Sequence, residues 1–222
     1  RVPSGASYPL SIRDTYRKLY PEFFEQLKIK PIKEYPSILR ESMDYVNCGG
    51  INVVLTPGRY NSAYYEHAYL AKKMGAHLVR NNELIVKNKV VYFKNYDGRD
   101  IRVGAIYRRL DDEFLDPKFF NEESLIGVPG IMEAYLSGNV ALMNAPGNGV
   151  ADDKGIYYFV PKMIKYYLGE EPILKNAPTY LPYFEDDKKY VFENMHKLVI
   201  KDVAEAGGYG VMFGHAMTKL QL

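Results

Sequence analysis

The run Leu198-Val199-Ile200-Lys201, followed closely by Gly207-Gly208-Tyr209-Gly210, is the densest local signal for chemistry in the chain. A lysine at the end of a buried strand is costly unless its ammonium meets an anion. A glycine-rich turn exposes backbone N–H groups that can wrap phosphate oxygens. Together these features make a phosphate clamp. The lysine precedes the glycines and no helix follows, which separates the pattern from a Walker A loop. A surface lysine beside a hairpin turn suits the same residues. A second lysine, Lys154, follows Asp152-Asp153 at the start of a long aromatic-rich stretch. Carboxylates suit a helix N-terminus. Asp152 is therefore the expected cap, and on this pattern alone Lys154 is a solvated neighbour.

Two further loops carry charge where ligands bind. Thr56-Pro57-Gly58-Arg59-Tyr60-Asn61-Ser62 follows an apolar run, and α/β sheets bind ligands outside the carboxyl ends of their strands. Arg59 can hold a carboxylate or phosphate, and Asn61 or Ser62 can cap the next helix. The spacing is not GxGxxG, so dinucleotide binding is unsupported. Glu66 and His67 lie one turn further on, and His67 has no partner histidine at metal-binding spacing. It reads as a packed or hydrogen-bonded helix residue. Tyr107-Arg108-Arg109-Leu110-Asp111-Asp112 sits at another strand end. Two guanidiniums beside two carboxylates suit either anion recognition or an internal ion-pair network. Cys48 is the one cysteine, so neither an internal disulfide nor a cysteine zinc site is available. No metal-ligand set and no Ser-His-Asp pattern appears.

The elements that must position these residues are legible as alternation. Ile51–Leu55 is short, apolar and β-branched, as expected of a strand buried on both faces. Ser62–Met74 has helical period and Gly75 stands at its stop. Ala76–Val79 is the next strand, completing a parallel unit. Leu84–Lys87 and Val90–Phe93 form a hairpin around Asn88. Ile101–Tyr107 and Val140–Asn144 are strands, with a helix over Pro129–Ser137 between them. Upstream, Ser11 is the expected cap of a helix through Thr15–Leu27 that Pro21 splits, and Ile32–Val46 is a second helical stretch. Downstream come a long helix over Ala151–Leu168, a shorter one over Asp186–His196, and strands at Leu198–Lys201 and Val211–Gly214. The expected organisation is an N-terminal helical segment 1–46, an α/β domain 47–148 and a smaller unit 149–222.

Composition bounds the function classes. Among 222 residues, 29 Lys+Arg nearly balance 27 Asp+Glu, for a net charge of +2. That balance gives no pull toward nucleic acid or anionic lipid. No apolar run approaches the roughly 20 residues of a membrane helix, and no signal peptide opens the chain, so a cytoplasmic setting is expected. Arg1 is not preceded by Met, and the chain reads as a piece whose upstream part is absent. A homo-oligomer is compatible with the sequence.

Taken together, several segments are more specific than any one. VVLTPGRYNSAYYEHAYLAKKMGAHLV (Val53–Val79), IYRRLDDEFLDP (Ile106–Pro117), the stretch Gly127–Leu174 and LVIKDVAEAGGYGVMFG (Leu198–Gly214) resemble the circularly permuted ATP-grasp family related to glutathionylspermidine synthases. The resemblance begins with RVPSGASY at Arg1 and runs almost end to end. It implies an α/β chain in which a Rossmann-like pre-ATP-grasp domain precedes part of an ATP-grasp domain. It implies a carboxylate–amine ligase in which ATP phosphorylates a carboxylate and an amine displaces phosphate. Lys154 and Lys201 match the family's two phosphate-contacting lysines. Gly207, Gly208, Tyr209 and Gly210 match the glycine-rich loop, and Arg1 matches an arginine beside the active site. ATP and Mg2+ are the implied cofactors, with the Mg2+ ligands and much of the adenine pocket expected in segments outside these residues. The alternative is a non-catalytic α/β module that holds an anionic small molecule or a peptide through the Arg59-Asn61-Ser62 and Arg108-Arg109 loops.

Overall fold

β1 (Ile51–Leu55) runs through the middle of a six-stranded sheet, and every residue after Ile51 is buried. In the computed structural model, which describes residues 4–205 and 207–218, residues 4–147 and 148–218 fall in two compact units. In the first, β1 pairs in parallel with β2 (His77–Val79), with Val53 opposite His77. On its other side it pairs in parallel with β5 (Asp100–Arg108), with Val54 opposite Tyr107. β5 is long enough to serve two partners on its far side. Its first part pairs antiparallel with β4 (Val90–Lys94), and Ala105–Tyr107 pairs in parallel with β6 (Ala141–Met143). β3 (Leu84–Lys87) closes the antiparallel edge against β4.

The sheet is therefore mixed rather than wholly parallel. The cause is local: Asn88 and Lys89 alone link β3 to β4, both at positive φ (50° and 62°). Two residues in that conformation turn the chain straight back, whereas a parallel return needs a dozen or more.

Alternation along the strands fills two layers. Val53, Leu55 and Ile106 face a core with Val79, Val103, Leu115, Ile131 and Leu142. Val54, Ala105 and Tyr107 face the other way, onto Met43, Leu70, Ala71 and Met74. These last residues come from α3 (Tyr35–Val46) and α4 (Tyr64–Met74). Gly75 ends α4 with φ 67°. α1 (Ser7–Leu19) and α2 (Pro21–Gln26) precede them. Ser11 lies inside α1 and does not cap it; the helix starts a turn earlier because the Glu66 carboxylate accepts from the backbone N–H of Gly5 and Ser7. α5 (Asp112–Leu115) and α6 (Ile131–Leu136) complete this unit.

The second unit begins with α7 (Gly149–Asp152) and α8 (Lys154–Leu168). The expected single helix from Ala151 is broken at Asp153, whose backbone is extended. Asp153, not Asp152, is the cap of α8: its Oδ1 accepts from Gly155 N–H at 2.6 Å. α8 carries Pro161, which has no N–H for the Tyr157 carbonyl four residues back. Asn176 Nδ2 supplies that donor at 3.0 Å. α9 (Glu185–Asn194) leads to a hairpin of β7 (Val199–Lys201) and β8 (Val211–Phe213), paired antiparallel with Lys201 opposite Val211. β7 is exposed at Val199 and Lys201, so the expectation of a buried strand fails. Ile200 between them is half-buried, and Gly214 is the one buried residue among the described residues of this unit. No described helix is long and apolar enough to cross a membrane.

Candidate functional site

The hairpin of the second unit gathers both lysines and the glycines. Lys201 ends β7, and the segment 202–210 returns the chain to β8. Gly207, Gly208 and Gly210 all have positive φ (68°, 89° and 65°). A Cβ at Gly210 would also stand 2.8 Å from Asp202 Cβ. This tight return therefore needs glycine on both counts. Tyr209, between them, is 76% exposed. Lys154, at the start of α8, reaches the same segment. Its Nζ donates to the carbonyls of Asp202 (2.7 Å), Val203 (3.4 Å) and Glu205 (2.5 Å). Its backbone N–H donates to the Val203 carbonyl at 3.1 Å. Lys154 is thus not a solvated neighbour of the cap; it is bonded to the loop that follows Lys201. Arg1 lies outside the described residues.

The remaining candidates belong to the first unit, at the carboxyl ends of β1 and β5. Arg59, Asn61 and Ser62 are exposed in the turn after β1. Asn61 Oδ1 accepts from Ala63 N–H at 2.9 Å, just ahead of α4. Ser62 is not the cap. Arg108 and Arg109 are both buried. Arg108 donates to the carbonyls of Leu110, Asn144 and Ala145 and pairs with Asp112. Asp112 Oδ2 in turn accepts from Gly147 N–H at 2.8 Å. The guanidinium thereby ties the end of β5 to the turn after β6. Burial pushes its pKa below the ordinary arginine value, and Asp112 opposes that shift. Arg109 turns the other way and donates to Glu66 Oε1 at 2.8 Å, in a pair whose side chains are 2% and 1% exposed. Of the two arrangements open to Arg108 and Arg109, the contacts seen are internal.

Sequence reasoning missed Glu66. Its Oε2 accepts from Gly5 N–H (2.7 Å), Ser7 N–H (3.1 Å) and Ser7 Oγ (3.1 Å). A signal was available: Glu66, His67, Leu70, Ala71 and Met74 share the buried stripe of α4, and a glutamate on such a stripe is paired. Asp116 was missed as well. It is fully buried and accepts from Gly130 and Met132 N–H, fixing the start of α6.

His67 is packed and hydrogen-bonded, its Nδ1 lying 2.8 Å from Thr56 Oγ1. Burial, aided by the Arg109 charge, lowers its pKa from 6.5 to about 4. Between these values the unfolded chain binds the extra proton. The neutral residue's contribution is therefore complete above pH 6.5 and is lost as pH falls toward 4, in total about 3 kcal/mol. Urea midpoints from pH 7 to 4.5 should fall less steeply for His67→Gln than for the parent. Equal slopes would refute this assignment.

Among the described residues, no three His, Cys, Asp or Glu side chains converge as a metal site. Residues 1–222 match a family model described as "A circularly permuted ATPgrasp". An uncharacterized Synechocystis protein is 49% identical over 218 residues, covering 96% of this chain and 45% of that protein. An uncharacterized Mycobacterium tuberculosis protein is 41% identical over 226 residues, covering 100% and 41%. A Frankia alni protein provisionally named glutamate–cysteine ligase 2-3 is 37% identical over 227 residues, covering 100% and 26%. The chain thus spans less than half the length of each of these relatives.

Proposed function

From the premise that the chain belongs to the circularly permuted ATP-grasp family, we propose that it is the central portion of an ATP-dependent carboxylate–amine ligase. The observation that carries this reading is the hairpin that gathers Lys154, Lys201 and the 207–210 glycines. The group fits nucleotide phosphates in charge and in backbone. It offers the Lys201 ammonium on a loop that Lys154 holds, and three positive-φ glycines can bring main-chain N–H groups close to an anion without a Cβ in the way. In the proposed reaction a substrate carboxylate oxygen attacks the γ-phosphorus of ATP. The bond to the β-γ bridging oxygen breaks and ADP leaves. An amine then attacks the acyl carbon of the acyl phosphate, releases inorganic phosphate and leaves an amide. Lys201 and the loop N–H groups stabilise the charge on the phosphoryl group in transit.

Bound Mg2+ would neutralise phosphate charge; we assign its ligands, and much of the adenine pocket, to segments outside this chain. The relatives' greater length supports that division. The first unit serves in this reading as the Rossmann-like pre-ATP-grasp domain, with Arg59, Asn61 and Ser62 on its substrate-binding surface and Arg1 as a catalytic residue. Arg108 and Arg109 hold the strand ends that shape that surface. The kinship to glutathionylspermidine synthases rests on the motifs alone. The name of the Frankia relative makes glutamate the first carboxylate to try.

A thermal-shift screen of the intact protein tests the proposal. ATP with Mg2+ should raise the melting temperature in a concentration-dependent way. Stabilisation by a carboxylate metabolite with no response to ATP would instead favour a non-catalytic module that binds an anion through the first unit.

A further inference from the structure

Lys154 spends its ammonium on backbone. Three carbonyls, those of Asp202, Val203 and Glu205, lie 2.7, 3.4 and 2.5 Å from Nζ, which has three protons to give. The Val203 carbonyl also accepts the Lys154 N–H. The residue is fixed at both ends: its backbone is the first of α8, directly after the Asp153 cap, and its side chain meets a segment 48 to 51 residues away. Charge-assisted bonds of this kind are roughly twice as strong as neutral ones. They fall on the one stretch that joins Lys201 to the glycines, where β7 and β8 lend little support. Asp202 N–H reaches the Gly210 carbonyl only at 3.3 Å, and Val211 N–H the Gly208 carbonyl at 3.4 Å.

We propose that Lys154 is a positioning residue for the glycine-rich loop, acting on bound phosphate through the loop's backbone. In a trans peptide the carbonyl and the following N–H face opposite ways. Drawing the Asp202 and Val203 carbonyls to one ammonium therefore turns the Val203 N–H toward the opposite face. The ammonium also polarises those peptides and strengthens them as donors. Lys154 thus sets which edge of the loop an anion meets, and Lys201, at the strand end, is left as the direct phosphate contact. The loop's use for phosphate rests on the ligase reading above; the anchoring does not.

The experiment is limited proteolysis of the intact protein without nucleotide, with cleavage after Glu205 followed by mass spectrometry. Lys154→Met keeps the aliphatic stem and removes the donors, and cleavage should rise about 10-fold. Lys201→Met should leave cleavage at the parent rate. Equal cleavage in Lys154→Met and parent overturns the proposal, and so does a loss of ATP affinity in Lys154→Met with loop cleavage unchanged, which would make Lys154 a direct phosphate contact. If Lys154→Met does not fold, hydrogen exchange across 202–205 in Lys154→Arg decides. The guanidinium's donors lie in one plane and do not diverge as the three ammonium protons do, so the bonds to these carbonyls are strained and exchange should quicken; unchanged exchange overturns the proposal. Failure of ATP to bind the parent would sink the ligase reading and leave these nucleotide-free readouts standing.

Discussion

Replacing Glu66 by alanine should destabilise the first unit by about 3–5 kcal/mol, the cost of breaking a buried ion pair from one side. The substitution takes from Arg109 a carboxylate 2.8 Å away at a site where both side chains are nearly inaccessible. It also strips the acceptor from the N–H groups of Gly5 and Ser7 and so frees the start of α1. A loss of that size is a large part of a typical domain's stability. The double change Glu66→Leu with Arg109→Met removes both charges and should recover part of the loss, because paired burial is expensive to begin with. Denaturant midpoints of the three proteins check this. A loss below about 1 kcal/mol for the alanine variant would show that water reaches the pair.

Lys201→Ala should weaken ATP binding roughly 10- to 100-fold or more, as expected when a charged hydrogen bond to phosphate is removed. Its effect on folding should be small. Lys201 is exposed at the end of a two-stranded ribbon, and its backbone pairing with Val211 does not depend on the side chain. Glu66 and Lys201 therefore predict opposite signatures: one loses stability, the other loses ligand.

What could be read from the sequence follows from locality. β1 and β5 are legible because an apolar β-branched run between breaks has few other uses. The β3–β4 hairpin is legible because Asn88 accepts a positive φ. The stops at Gly75 and Gly169 are legible because both take the left-handed conformation that ends a helix. Contacts distant in sequence were not legible. Arg109 stands beside Asp111 and Asp112 in sequence, but it meets Glu66, 43 residues away. The carbonyls that hold Lys154 are invisible to any residue-type pattern, since every residue has one. The cap of α8 moved from Asp152 to Asp153 because the extended backbone lies one residue later. The exposure of β7 could not be read because an apolar strand looks the same with or without its covering layer.

Titration calorimetry of ATP with Mg2+ into the intact protein and into its Lys201→Ala variant probes the nucleotide site most directly. Saturable one-site binding by the parent, weakened at least tenfold in the variant at unchanged melting temperature, is the predicted result. Equal affinities in the two proteins, or no heat of binding in the folded parent, would contradict the assignment of the Lys201 hairpin as the nucleotide site.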